Sequence, residues 1–251
     1  METAIEIRDL SHSYGTGKKT VEALRGITLS VKKGEIFGFL GPNGAGKTTT
    51  IKLLLGILTQ QTGTLSILDS MPVVPQARIK IGYMPENADY YRYLTPRELL
   101  HMYGEIFGID RKILSGRIGE LLEMVGMSES ADRQIRTFSK GMKQKVSFAQ
   151  ALINDPDLLI LDEPTSGLDP IARKKMRDVI ISLRDKDKTV FFSSHELSEV
   201  ELISDRVVIL NEGRVLVEGP LSDFLSDRGE KQTLESYFLQ IIEGSNGGST
   251  R

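Results

Sequence analysis

The 251-residue sequence contains no cysteine. Disulfides, cysteine zinc sites and thiol nucleophiles are excluded, and the composition fits a reducing cytoplasm without requiring one. Neither sign of charge is in excess: 32 Lys and Arg stand against 34 Asp and Glu, a formal net charge of −2. General nucleic-acid binding needs a basic surplus, so no nucleic-acid partner is expected. No apolar run approaches the ~18–20 residues that span a bilayer. The richest, Leu53 to Leu58, is broken by Gly56. The opening METAIEIRDL carries acids where a secretory leader wants bases ahead of an apolar stretch. Neither secretion by that route nor a membrane span is expected, although docking onto a membrane protein stays open. No internal repeat is visible.

What is present is a globular composition, 39% hydrophobic and 26% charged, on a chain long enough to bury a sizeable core. Ile5 and Ile7, then Ile27, Leu29 and Val31, alternate with polar residues as half-buried strands do. Ile36 to Leu40 reads as a buried strand, followed by GPNGAGKTTT and a helix with Ile51, Leu54, Leu55 and Leu58 on one face. The spacing of Leu99, Leu100, Tyr103, Ile106 and Phe107 predicts a helix, as does that of Leu114, Ile118, Leu121, Leu122 and Val125. A third is expected from about Ser139 to Ile153, so residues 88–153 read as an all-helical insert.

Strands alternating with helices then resume. Leu158 to Leu161, Val190 to Phe192 and Val207 to Leu210 read as strands, and Pro170 to Leu183 as a helix. Asn211, Glu212 and Gly213 form an expected hairpin turn into Val215 to Val217. A last helix is expected over Leu234 to Ile242, before a linker-like GSNGGSTR tail. The pattern predicts an α/β fold with a mostly parallel sheet. His12 and His101 lack a motif and are read as surface residues.

Gly41, Gly46, Lys47 and Thr48 match the spacing G-x-x-x-x-G-K-[ST]. Glycines let the backbone curl until several N–H groups face one anion. The helix starting there adds the positive end of its dipole. Lys47 is placed to reach β- and γ-phosphates and Thr48 to offer its hydroxyl to Mg²⁺. A buried strand before and an amphipathic helix after complete the context. The candidate contacts are Gly41, Pro42, Asn43, Gly44, Ala45, Gly46, Lys47, Thr48 and Thr49.

LLILDEP places Asp162 and Glu163 at the C-terminal end of a buried strand, where ligands sit in open α/β sheets. Asp162 is the candidate Mg²⁺ ligand, through water. Glu163, one residue on, points differently. It can act as general base toward a water or only orient that water and support the strand.

Together these motifs resemble the ATP-binding subunit of ABC transporters, from Ile5 to about Leu225. FSKGMKQK resembles the family signature, whose usual core is Leu-Ser-Gly-Gly-Gln. This copy departs at Phe138, Lys140 and Met142 but keeps Ser139 and Gly141. SGLD ending at Asp169 resembles the D-loop, His195 the switch histidine and Tyr14 the aromatic that stacks on adenine. The resemblance implies a phosphate-loop NTPase core with an N-terminal antiparallel β subdomain. It divides the chain into an ATPase domain, 1–225, and a C-terminal helix and tail, 226–251.

The resemblance also implies ATP and Mg²⁺ as cofactors and Mg-dependent ATP hydrolysis. Two subunits, a homodimer or a heterodimer, would lie head to tail, each signature closing on the other's ATP. His195 would meet the γ-phosphate as a neutral imidazole that donates one hydrogen bond and accepts another. The partner would be a separate membrane-spanning subunit, with this chain peripheral on the cytoplasmic face of the cell membrane. The family's Q-loop glutamine is Glu86 here, which can still ligate Mg²⁺ but adds negative charge. Glu86 and the signature lysine resemble a drug-, lipid- or ion-exporting branch. Two other readings stand beside this one: a soluble ABC-type ATPase driving cytosolic assembly, and a nucleotide-sensing module without turnover.

Overall fold

The computed structural model describes residues 2–15, 17–72, 74–227 and 230–246. The N-terminal elements are β1 (Thr3–Tyr14), β2 (Val21–Lys32), β3 (Ile36–Leu40), α1 (Lys47–Leu54), β4 (Thr62–Ile67), α2 (Pro75–Ile79) and β5 (Ile81–Met84). Three helices follow: α3 (Pro96–Ile106), α4 (Arg111–Met124) and α5 (Lys140–Ala151). Then come β6 (Leu158–Asp162), α6 (Pro170–Arg184), β7 (Thr189–Ser194), α7 (Leu197–Ile203), β8 (Arg206–Asn211), β9 (Arg214–Pro220) and α8 (Leu234–Asn246).

Six strands pair in the order β5-β6-β7-β3-β8-β9. The first five run parallel and β9 closes the edge antiparallel. Every residue of β3, β6 and β7 is buried. Helices or a second sheet cover both faces, which is why these segments read as near-continuous apolar runs. Phe37, Phe39, Ile160 and Phe191 join α1 and the N-terminal sheet in one cluster, while Ile36, Leu40, Leu161 and Phe192 join the helices in the other.

The N-terminal sheet is antiparallel, in the order β2-β1-β4. Its alternating Ile5, Ile7, Ile27, Leu29 and Val31 are all buried, as the pattern requires. His12, read from sequence as a surface residue, is buried instead, its ring edge-on to Tyr14 with centroids 4.9 Å apart. The pairing shifts register between Ile7 and Leu10, where Asp9 takes a positive φ of 49°. That bulge moves the inward parity from 5 and 7 to 10 and 12. His101 is exposed, as expected.

Between β5 and β6 the chain is helical, with Leu99, Leu100, Leu114, Ile118, Leu121 and Leu122 in one core. Thr95 and Glu98 form a capping box on α3, and Asp110 caps α4. Ile106, expected on the buried face, is 71% exposed. The helix after the phosphate loop stops at Leu54 rather than reaching Leu58. Gly56 takes φ 63°, and the N–H groups of Ile57 and Leu58 both return to the Lys52 carbonyl, which terminates the helix. β4 and α2 carried no clear sequence signal: β4 buries only Leu65 and Ile67, and α2 is five residues long.

Glu212 and Gly213 have φ values of 46° and 77°, the signature of a tight hairpin turn joining β8 to β9. α8 runs to Asn246, beyond the expected Ile242, and the rest of the tail, 247–251, lies outside the described residues. No described helix is long and apolar enough to cross a membrane.

Candidate active site

The parallel register decides where the chemistry collects. β5, β6, β7 and β3 are neighbours running the same way, so their C-terminal ends share one sheet edge. Those ends lead into Glu86, Asp162–Glu163, His195 and the phosphate loop respectively. All of them line one cavity of about 420 Å³, with Val21, Glu22 and Ala23 of β2 forming a further wall. Of the loop, Pro42, Asn43, Gly44, Gly46, Lys47, Thr48 and Thr49 face this space. Gly41 and Ala45 are buried behind it.

Gly46 is the N-cap of α1, at φ 108° and without a side-chain cap. A Cβ there would stand 2.6 Å from Leu24 Cδ2, so only glycine fits both the conformation and the space. Lys47 is buried, and its Nζ donates to the carbonyls of Gly41 at 2.5 Å and Pro42 at 3.3 Å. Burial lowers the ammonium pKa, while Glu163, Asp162 and Glu86 push it back up. Tyr14 ends β1 with its hydroxyl 3.3 Å from Thr49 Oγ1, so it stands against the first turn of α1.

Asp162 is buried, and Ser193 Oγ donates to its Oδ1 at 2.5 Å. Burial raises its pKa; the Ser193 bond opposes that, and the charges of Glu163 and Glu86 add to it. Glu163 departs from strand geometry at φ 53°, a conformation that costs a side-chain-bearing residue about 1–3 kcal/mol. Its N–H donates to the main-chain oxygen and to Oγ of Ser193, both at 3.2 Å. The turn separates it from Asp162, as the sequence reading required.

Glu163 Oε2 lies 2.8 Å from His195 Nδ1. A carboxylate only accepts, so the partner assigns the proton of a neutral ring to Nδ1, leaving a lone pair on Nε2. While the ring is neutral and paired with Glu163, Nε2 accepts rather than donates. Nε2 can donate only when the ring is an imidazolium or when the Glu163 contact opens.

Ser139, Gly141 and Asp169 do not line this cavity. Ser139 caps α5, its Oγ accepting from the Met142 N–H at 3.3 Å, and Asp169 caps α6 through the N–H groups of Ile171 and Ala172. The Ala172 N–H, then that of Ile171 and the charge of Lys145, hold the Asp169 carboxyl below its usual range. Gly141 packs against Gly167 and Leu168; a Cβ on it would stand 3.3 Å from the Gly167 oxygen. The Ser139 hydroxyl accepts one bond as a cap and keeps its proton to donate elsewhere.

The ABC transporter family profile matches residues 24–166, more than half of the chain. This chain belongs to the ABC transporter family. It is 44% identical over 234 residues to the bacitracin transport ATP-binding protein BcrA of Bacillus licheniformis, covering 92% of this chain and 74% of that protein. It is 37% identical over 245 residues to the Nod factor export ATP-binding protein I of Cupriavidus pinatubonensis, covering 96% and 74%. The solved structure of an ATP binding subunit of an ABC transporter superposes with a TM-score of 0.86 at 31% identity, covering 95% of this chain and 99% of that one. The chain is accordingly an ABC ATP-binding subunit, an ATPase.

The oxygen set of this ABC site suits Mg²⁺. Thr48 is an exposed hydroxyl at the cavity, and Asp162 is a buried carboxylate pressed by two like charges that Lys47 offsets only in part, an environment that favours a further cation. Mg²⁺ takes one or two carboxylates together with substrate phosphates rather than a full protein cage. Two residues escaped the sequence reading. Ser193 stands two before His195, the same-face spacing of a strand. Gln144 stands between Gly141 and Phe148 at helical spacing, a polar residue where a buried one belongs, and its Nε2 donates to the Glu163 main-chain oxygen at 3.0 Å.

Proposed function

We propose that this chain binds and hydrolyses Mg-ATP as one half of a head-to-tail dimer, and so powers export through a membrane-spanning partner. The observation that carries this reading is the separation just described. One cavity joins the phosphate loop to Asp162, Glu163, His195 and Glu86, whereas the signature residues Ser139 and Gly141 stand outside it. A signature that does not line its own chain's cavity is left open to a second nucleotide-binding chain, identical or related. Ser139 and Gly141 would then donate to the partner's γ-phosphate, and Asp169 would lie beside them at the interface.

Within the cavity, Lys47 and the loop amides bind the phosphates and neutralise charge on the transferred group. Tyr14, beside Thr49 but not itself lining the cavity, would stack on the base. Thr48 and Asp162 would hold Mg²⁺, with Glu86 close by; the ion supplies further charge neutralisation when bound. Glu163 accepts the proton of the attacking water, and His195 positions the γ-phosphate by donating to it once its contact with Glu163 opens. Hydrolysis removes the γ-phosphate contacts that hold the dimer shut, so populations shift toward the open state.

The same reading makes residues 1–225 the ATPase unit, with 88–153 as its insert and 226–251 as a C-terminal appendage. The insert and the Glu86 loop pass the motion on. A groove of about 340 Å³ beside that loop, lined by Tyr83, Pro85, Tyr90, Tyr103 and Phe107 among others, suits an amphipathic segment of the membrane partner. The chain would then work at the cytoplasmic face of the cell membrane. The Nod factor export relative favours the outward direction.

The test is tagged Glu163→Gln, recovered from its host's membranes in mild detergent with ATP. Turnover should fall by about 10²–10⁴ while ATP binding persists and the dimer is trapped. A multi-span membrane protein should co-purify in stoichiometric amount. Near-normal turnover sinks the base assignment, and recovery with soluble partners alone moves the function to cytosolic assembly.

A further inference from the structure

Gln144 is 2% exposed, lies five residues past the Ser139 cap on α5, and does not line the nucleotide cavity. Its Nε2 donates to the main-chain oxygen of Glu163 at 3.0 Å. Glu163 sits at φ 53°, with its N–H held by Ser193 of β7. The peptide group before this left-handed residue is thus held by β7, and the one after it by the signature helix together with the Ser166 N–H, which donates to the same Glu163 oxygen at 3.1 Å. The direction of the Glu163 carboxylate follows from that main chain.

We propose that Gln144 is a positioning residue for ATP hydrolysis: it holds the Glu163 carbonyl and thereby keeps the turn that aims the carboxylate at His195 and the cavity. The inference rests on the role given to Glu163 above. A neutral amide suits the place. Leucine would leave the Glu163 oxygen without this donor, lysine would bury a charge, and an ionised glutamate would set oxygen against oxygen. The helix whose first residues would serve the opposite nucleotide therefore also sets this chain's own carboxylate.

The experiment compares the full-length chain with Gln144→Leu, Gln144→Glu, Glu163→Gln and the Glu163→Gln/Gln144→Leu double variant. Gln144→Leu should lower kcat about tenfold or more, the scale of a misplaced catalytic group, with KM for ATP within about twofold. It should also accumulate the ATP-bound dimer, as a chain with a slowed chemical step does. In the Glu163→Gln background the same change should alter residual turnover less than about twofold, because one group cannot be lost twice.

Gln144→Glu guards against a folding defect in the leucine variant. Its activity relative to the parent should recover as pH falls, since a protonated carboxyl can donate where the amide did. Three results overturn the proposal: parental kcat in Gln144→Leu, loss of the ATP-driven dimer along with kcat, or a flat pH ratio for Gln144→Glu. Normal turnover in Glu163→Gln alone strikes the base assignment instead, so the two failures are told apart.

Discussion

At the phosphate loop, α1 begins at Gly46, with Lys47 buried and three carboxylates across the cavity. At the signature, α5 begins at Ser139, with Lys140 exposed and no acid in its first turn. Both ends offer main-chain N–H groups and a dipole to an anion. The first is completed by its own chain: strands β5, β6 and β7 bring Glu86, Asp162, Glu163 and His195 to face it. The second has no such company and packs instead on Gly167 and Leu168. A helix start finished within the chain reads as a site. One left unfinished reads as half of a site, whose other half the proposed dimer would supply.

Substitutions at the two ends should therefore fail differently. The largest effect is expected for Lys47→Ala, which removes a charge-assisted phosphate contact worth about 1.5–3 kcal/mol. Nucleotide affinity of the single chain should fall about 10- to 100-fold, measured by titration calorimetry. Ser139→Ala should leave that affinity within about twofold and weaken the ATP-driven dimer of a Glu163→Gln background about tenfold, read by analytical ultracentrifugation. Loss of the cap should also lower stability by about 1 kcal/mol. Equal loss of single-chain affinity in both variants would erase the distinction.

The smallest effect is on stability. Asp162 has a raised pKa in the folded chain, so the folded state binds more protons than the unfolded one between the ordinary aspartate range and that raised value. Stability falls as pH rises across this window. Asp162→Asn removes the penalty. Without nucleotide its Tm should exceed the parent's by a few degrees at neutral pH, and the gap should close in acid. A gap that persists in acid would mean packing, not charge, sets the difference.

The motif residues were legible because their chemistry tolerates few substitutes: glycines and lysine around phosphate, carboxylates at a strand end. Strands β3, β6 and β7 were legible because burial on both faces demands apolar runs. His12 was misread because a one-residue bulge at Asp9 reverses strand parity, and no local pattern marks it. The partner of His195 was not named for a similar reason. That partner, Glu163, is 32 residues away in sequence and 2.8 Å away in space. Ser193 and Gln144 were missed because each serves another residue's main chain or carboxylate rather than a ligand.

By itself the sequence determined the order of elements, the phosphate-binding loop and the acids that oppose it, since these follow from local periodicity and from residue types that few others can replace. Only the tertiary structure decided which groups meet. Parallel pairing gathers four strand ends at one edge, while the same pairing leaves Ser139 and Gly141 outside the cavity they resemble a part of. The physical reason is that hydrogen bonds and charges act over a few ångströms, and which residues come that close is a property of the packed chain.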